Sequence, residues 1–157
     1  MSALKHLTEK NAMTPQEFAQ QLNRLFAGTL MEHQGIEILL AGEGRARARI
    51  EFKPELRQAT GLFHAGVIMG LADTTATVAA MWEFDPQAHL RPELFPLSIQ
   101  VSTNLIRNTD RGALIADAEL VHRGRTTLLA DVRVTDHQAR LVAKASVTLL
   151  APKGALH

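Results

Sequence analysis

The sequence predicts an α+β fold in which one antiparallel sheet wraps a single long central helix, with a short helix ahead of it. Three observations lead there. Between His64 and Glu83 lie eighteen residues carrying one charge, Asp73, a helix candidate that is apolar nearly all round and so demands burial. Strand-like runs flank it, two before and four after, several with period-two alternation. The 157-residue chain shows no repeat, low-complexity tract or interdomain linker, which fits one domain over 15–151 between tails at 1–14 and 152–157. A sheet curled around such a helix covers most of its circumference and buries it economically.

The elements follow in order. Pro15 after Thr14 is an N-cap and first-turn pair, and Phe18, Leu22, Leu25 and Phe26 recur at helical spacing, which predicts a helix at 15–28 ending near Gly28. Residues 36–40 are apolar, and the Gly-Glu-Gly at 42–44 reads as a turn. In the next run Ala46, Ala48, Ile50 and Phe52 share one face, while Arg45, Arg47, Arg49 and Glu51 share the other, a solvated strand face. After the apolar segment come a loop with Pro86, Pro92 and Pro96 and then strands at 97–106, 113–121, 126–136 and 139–150. Their short links predict antiparallel neighbours, a four-stranded meander.

Composition excludes several function classes. A formal charge of +1 gives no global attraction to nucleic acid or an acidic membrane, and six Phe, one Trp and no Tyr make no base-stacking platform. The absence of cysteine removes disulfides, thiolate zinc sites and cysteine nucleophiles, and fits a reducing cytoplasm. The seven histidines, at 6, 33, 64, 89, 122, 137 and 157, form no close-spaced pair of the kind that ligates zinc, so no metal is expected. No secretion pattern opens the sequence. The run from 65 to 82 is long enough for a membrane span, but its one Asp, three Thr and two Gly argue against one.

Plotted at 100° per residue, Val67, Ile68, Leu71, Val78 and Trp82 fall on one side of the helix, expected to press into the sheet. Gly66, Met69, Gly70, Asp73, Ala76, Thr77 and Ala80 fall on the other, a face of mostly small residues around one acid that lets a backbone or ligand come close. A carboxylate away from water is costly unless paired. Asp73 reads either as bonded to Thr77 and a trapped water, or as an acid at the edge of a ligand cavity serving as base or nucleophile. At the helix start, unpaired N–H groups near His64, Ala65 and Gly66 favour negative charge and can hold an oxyanion, and Gln58 upstream offers an amide for the same carbonyl. Ala65 and Asp73 are about 12 Å apart along a helix rising 1.5 Å per residue, too far to grip one carbonyl together. If both act, they come from two chains packed antiparallel across a two-fold axis, a homodimer with two composite sites.

The run HAGVIMGLAD at 64–73 resembles the H-G-G-x-x-x-x-L-x-D signature of the hotdog-fold acyl-CoA thioesterases of the PaaI-like and THEM-type group, related to 4-hydroxybenzoyl-CoA thioesterase. The likeness runs from about 34 to 151 and includes the last three strands. It implies a hotdog fold dimerising edge to edge, with Asp73 as nucleophile or water-activating base. It further implies Ala65 as the N–H donor to the thioester carbonyl from the other subunit, His64 as the signature histidine, and Ser98 and Thr77 as residues that position water. Two positions depart from the pattern: the loop Asn is Gln58, which retains an amide, and the first Gly of H-G-G is Ala65, which keeps the N–H but adds a methyl.

The expected function is hydrolysis of an acyl- or aroyl-CoA thioester, with no cofactor beyond the coenzyme A of the substrate and a homodimer or tetramer as the assembly. Gly66 and Met69 are candidates for lining the substrate site, and Arg107, Arg123, Arg125 and Lys144 for holding the coenzyme A phosphates. Cavity depth is expected to depend on Met69, Met81, Trp82 and the 83–95 loop. Two other classes compete: a non-catalytic acyl-ligand sensor, which has little reason to keep a costly acid beside an apolar chain, and a hydroxyacyl-thioester dehydratase, for which His64 is poorly placed.

Overall fold

The computed structural model describes residues 13–153. The expected tails lie mostly outside that span, as do His6 and His157. The elements are α1 (Pro15–Leu25), α2 (Leu30–Gln34), β1 (Ile36–Gly42), β2 (Arg45–Glu51), α3 (Ala65–Phe84), β3 (Leu97–Leu105), β4 (Ala113–Arg123), β5 (Thr127–Thr135) and β6 (Leu141–Leu150).

Helix α1 starts where Thr14 and Pro15 place it. The Thr14 hydroxyl accepts from the Glu17 N–H at 3.2 Å, and the Glu17 carboxylate accepts from the Thr14 N–H at 2.7 Å, a reciprocal capping box. It stops at Leu25, short of the expected Gly28, because the chain turns at Phe26 and a separate short helix, α2, follows. Asn23 then ties α1 to the sheet edge. Its amide donates to the Ile38 carbonyl and accepts from the Ile38 N–H, both at 2.8 Å, so that α1 covers β1.

The six strands form one antiparallel sheet in the order β1-β2-β4-β5-β6-β3. The β1–β2 hairpin turns through Glu43 and Gly44, both at positive φ, the geometry that matches strand twist. Ala46, Ala48 and Ile50 face inward and are buried, while Arg45 reaches Glu119 at 2.8 Å and Arg47 reaches Asp117 at 2.6 Å on the outer face, as the alternation predicts. The expected four-stranded meander is corrected in one respect: β3 does not neighbour β4. It pairs with β6, and β2 takes the place beside β4. The link from β3 to β4 is not a tight hairpin. It crosses the start of α3, where the Asn108 amide donates to the Phe63 carbonyl at 2.8 Å and the Phe63 N–H to the Thr109 carbonyl at 3.1 Å.

Val67, Ile68, Leu71 and Val78 of α3 are buried against the sheet as expected. Two members of the opposite face, Ala76 and Ala80, are also fully buried, because the sheet wraps further round the helix than one stripe requires. Trp82 is only half-buried and meets Phe18 of α1 edge to face, ring centroids 5.0 Å apart. Among the described residues α3 is the one helix long and apolar enough to cross a membrane, and 56% of its most apolar window is buried inside the fold, the setting of a core helix. At the far edge, no second strand pairs with β3 among the described residues, and Leu97, Ile99, Leu105 and Ile106 stand about half exposed along and just beyond it.

Candidate active site

Asp73 sits two turns into α3, half-buried, with its carboxylate toward β3. The Ser98 hydroxyl donates to Asp73 Oδ1 at 2.6 Å, a short charge-assisted bond, and the Thr77 hydroxyl lies 3.3 Å from Ser98 Oγ. The three therefore form a chain with Ser98 in the middle. The direct Asp73–Thr77 bond suggested by their one-turn spacing is not among the bonds of the described residues.

Ser98 reaches the acid through an irregularity in β3. In the register with β6, Ser98 lies opposite Leu149 and Gln100 opposite Thr148, two residues spent against one, a β-bulge at Ile99. Beyond it Val101, Thr103 and Leu105 oppose the buried Val147, Ala145 and Ala143. Strict alternation from those residues would turn Ser98 to the outer face with Gln100 and Ser102. The extra residue turns it inward, onto Asp73.

The start of α3 sorts its own donors. His64 is the N-cap: its Nδ1 accepts from the Gly66 N–H at 2.9 Å, and its carbonyl accepts from Val67 and Ile68. Its side chain is thus engaged in capping. The Ala65 N–H has no partner among the described residues and lies half-buried at the helix tip. Gln58 sits in the adjoining turn, where its Nε2 donates to Thr60 Oγ1 at 2.6 Å and its Oε1 accepts from the Thr60 N–H. An amide carries two N–H donors, so one remains for a ligand while Thr60 fixes the group's direction. Within one protomer the structure keeps Ala65 and Asp73 apart, as the helical rise requires.

Beside Asp73, Thr77 and Ser98 opens a cavity of about 220 Å³. Its apolar wall includes Val78, Met81, Phe95 and Pro96, together with Phe26 and Met31 from the α1–α2 segment. Of the residues expected to shape the substrate cavity, Met81 and Phe95 of the 83–95 loop line this one. Met69 and Trp82 are not in this wall: Met69 stands 38% exposed on the open face of α3, and Trp82 is taken up by Phe18. Phe26 and Met31 were not expected, since nothing in their local pattern points at a site on a distant helix.

The basic candidates do not form one cluster. Arg107 donates to the Leu141 carbonyl at 3.0 Å, next to Asn108 at the start of α3. Arg123 pairs with Glu83 at 3.2 Å, near the other end of that 20-residue helix, and Arg125 is exposed in the following turn. Lys144 is exposed on β6. Gly66 is exposed at the helix tip, where a Cβ would come within 3.0 Å of the His64 ring. Among the described residues no group of His, Asp or Glu is arranged to hold a metal ion.

A model of the thioesterase superfamily matches residues 60–143, which includes the start of α3, Asp73 and Ser98. The 1,4-dihydroxy-2-naphthoyl-CoA hydrolase of Listeria monocytogenes is 26% identical over 124 residues, spanning 79% of this chain and 96% of that protein. Two solved structures share the fold. A thioesterase from Haemophilus influenzae superposes with a TM-score of 0.74 at 23% identity, covering 90% of this chain and 92% of that one. A hypothetical thioesterase from Streptococcus pneumoniae, solved with coenzyme A, gives 0.65 at 24% identity over 74% and 84%.

Proposed function

The chain belongs to the thioesterase superfamily, with its hotdog fold, and we propose that it hydrolyses an acyl- or aroyl-CoA thioester to the free acid and coenzyme A at two composite sites in a homodimer. The observation that carries the reading is the Thr77–Ser98–Asp73 chain of hydroxyls and carboxylate at the mouth of an apolar cavity. Ser98 occupies Oδ1 of Asp73 and leaves Oδ2 to take a proton from water held by the two hydroxyls. That water adds to the thioester carbonyl carbon. The resulting oxyanion is met by the N–H of Ala65 of the partner subunit and the free amide proton of Gln58 of the partner subunit. Collapse breaks the carbon–sulfur bond, and the proton held by Asp73 passes to the departing thiolate. Water is the only co-reactant. His64 serves by capping: it consumes the Gly66 donor and aligns the tip that presents Ala65.

The dimer rests on two features of the protomer. One edge of the sheet is covered by α1 while the β3 edge is apolar and has no second strand among the described residues, and the open face of α3 carries Gly66, Met69 and Gly70 around the acid. Antiparallel helices would place Arg107 of one protomer toward Arg123 and Arg125 of the partner subunit, flanking the mouth where phosphates of coenzyme A would lie. A coenzyme A thioester substrate and a sequence without cysteine both fit a reducing cytoplasm. The assay is release of free thiol from a panel of acyl-CoAs by purified protein. Asp73→Asn should lower kcat by at least about 100-fold, the usual worth of a positioned base. Turnover by that variant within a few-fold of wild type would overturn the mechanism.

A further inference from the structure

The cavity beside Asp73 has two properties that the hydrolytic chemistry leaves unused: the separate segment that supplies part of its wall, and the charge that wall lacks. At roughly 30 Å³ for each water-sized group, the cavity's volume of about 220 Å³ holds seven or so non-hydrogen groups. The reacting carbonyl group and a water take about three of them, and so about four remain for the acyl group beyond its carbonyl carbon. Among the described residues that line the cavity, Asp73 is the one charged side chain, and none is Lys, Arg, His, Asn or Gln. A second carboxylate on the acyl group would therefore be desolvated beside a like charge with nothing to pair it.

Part of the wall comes from residues that belong to neither the central helix nor the sheet. Phe26 is the C-cap of α1, only 6% exposed, and Met31 lies one turn on in α2. Thr29 links them, its hydroxyl donating to the Phe26 carbonyl and lying 3.9 Å from Met31 Sδ. Asn23 anchors the preceding helix to β1. This part of the wall thus sits on a segment tied to the sheet.

We propose that Phe26 and Met31 are the specificity-determining residues of the acyl site, setting it for compact, uncharged acyl groups and against long-chain and dicarboxylic ones; this rests on the acyl-CoA thioesterase reading. Wild-type kcat/KM should peak at about pentanoyl- to hexanoyl-CoA. It should fall at least about tenfold by dodecanoyl-CoA and from pentanoyl- to succinyl-CoA, since overfilled pockets and unpaired charge cost at least that much. Phe26→Ala and, independently, Met31→Ala should move the optimum to longer chains, read as a rise of about tenfold in the ratio of kcat/KM for dodecanoyl-CoA to that for pentanoyl-CoA. A flat chain-length profile, or an optimum that neither variant moves, would overturn the assignment. S-alkyl-CoA thioethers, which cannot turn over, read the cavity by calorimetry alone. Hexyl-CoA should bind wild type more tightly than dodecyl-CoA and the order should reverse in Phe26→Ala, and equal affinities would sink the proposal. Binding in that order without hydrolysis of any acyl-CoA would leave the wall assigned and overturn the hydrolase reading instead.

Discussion

Ala65→Pro tests the composite site with little disturbance to the fold. Ala65 is the first residue of α3, the helical position that best accepts proline, and His64 before it has φ −65° and ψ 134°, the conformation a residue preceding proline prefers. The N–H that proline removes makes no bond within the protomer among the described residues. Helix stability should therefore hardly change, while loss of one oxyanion donor should lower kcat by about 10²–10³-fold. Ala65→Gly, which keeps the N–H, should stay active. The decisive assay mixes two inactive proteins, Ala65→Pro and Asp73→Asn, after unfolding and refolding them together. If each site draws its acid from one chain and its donor from the other, every heterodimer has one intact site. Statistical exchange makes half the dimers mixed, so about one quarter of wild-type activity should return. No recovery, with heterodimers demonstrated by differential tagging, would mean that acid and donor serve the same chain's site, which the helical rise forbids; the assignment of Ala65 would then fall.

Ser98→Ala should cost about 1.5–3 kcal/mol of transition-state stabilisation, roughly 10- to 150-fold in kcat, as a lost hydrogen bond to a charged group does. In an Asp73→Asn background it should cost almost nothing further, and an undiminished effect there would show that the two do not act as a unit. His64→Asn should keep activity within a few-fold, because Asn replaces the cap, whereas His64→Ala should lose about 1 kcal/mol of stability; a deep loss in His64→Asn with intact folding would make the imidazole chemical. Asp136, in the β5–β6 turn, gives a pH signature. Burial pushes its carboxyl up, but bonds from the Arg140 side chain and from the Arg140 and Gln138 N–H groups, with the Arg140 charge, prevail and bring its pKa down to about 2. The folded value lies below the unfolded one, so its stabilisation, about 2 kcal/mol, is present above about pH 4 and lost as pH falls toward 2. Denaturant titrations of wild type and Asp136→Asn should converge over that window, and a constant gap would refute the assignment.

What could be read before any coordinates depended on how local the signal was. The apolar run from 65 to 84 and the alternation in β2 and β4 are set by each segment's own burial, and they appear where expected. The neighbour of β3 is not local information. Its link to β4 is short enough to suggest a hairpin, yet the anchoring of Asn108 and Thr109 on Phe63 carries the chain across the helix start. Ser98 could be named only through family resemblance. In the alternation of β3 it belongs with Gln100 and Ser102, and the bulge that turns it inward is visible only against β6. Phe26 and Met31 left no trace, because they flank a turn at Gly28 and meet the site across the fold.

The lone acid in the most apolar helix is explained by how that helix divides its surface. Ala72, Ala76, Ala79 and Ala80 are fully buried and let the sheet close tightly on one side. The closure stops short of Gly66, Met69, Gly70, Asp73 and Thr77, which remain open or half-open. The same helix thus supplies the core and the candidate site by facing two ways. The bulge in β3 performs the complementary task from the sheet, since it turns the Ser98 hydroxyl onto the acid while Ser98 stays in register with Leu149 of β6. Neither a longer apolar stripe nor a regular edge strand could do both. The departure from regular patterning sits at the acid itself, where local rules are expected to yield to chemistry.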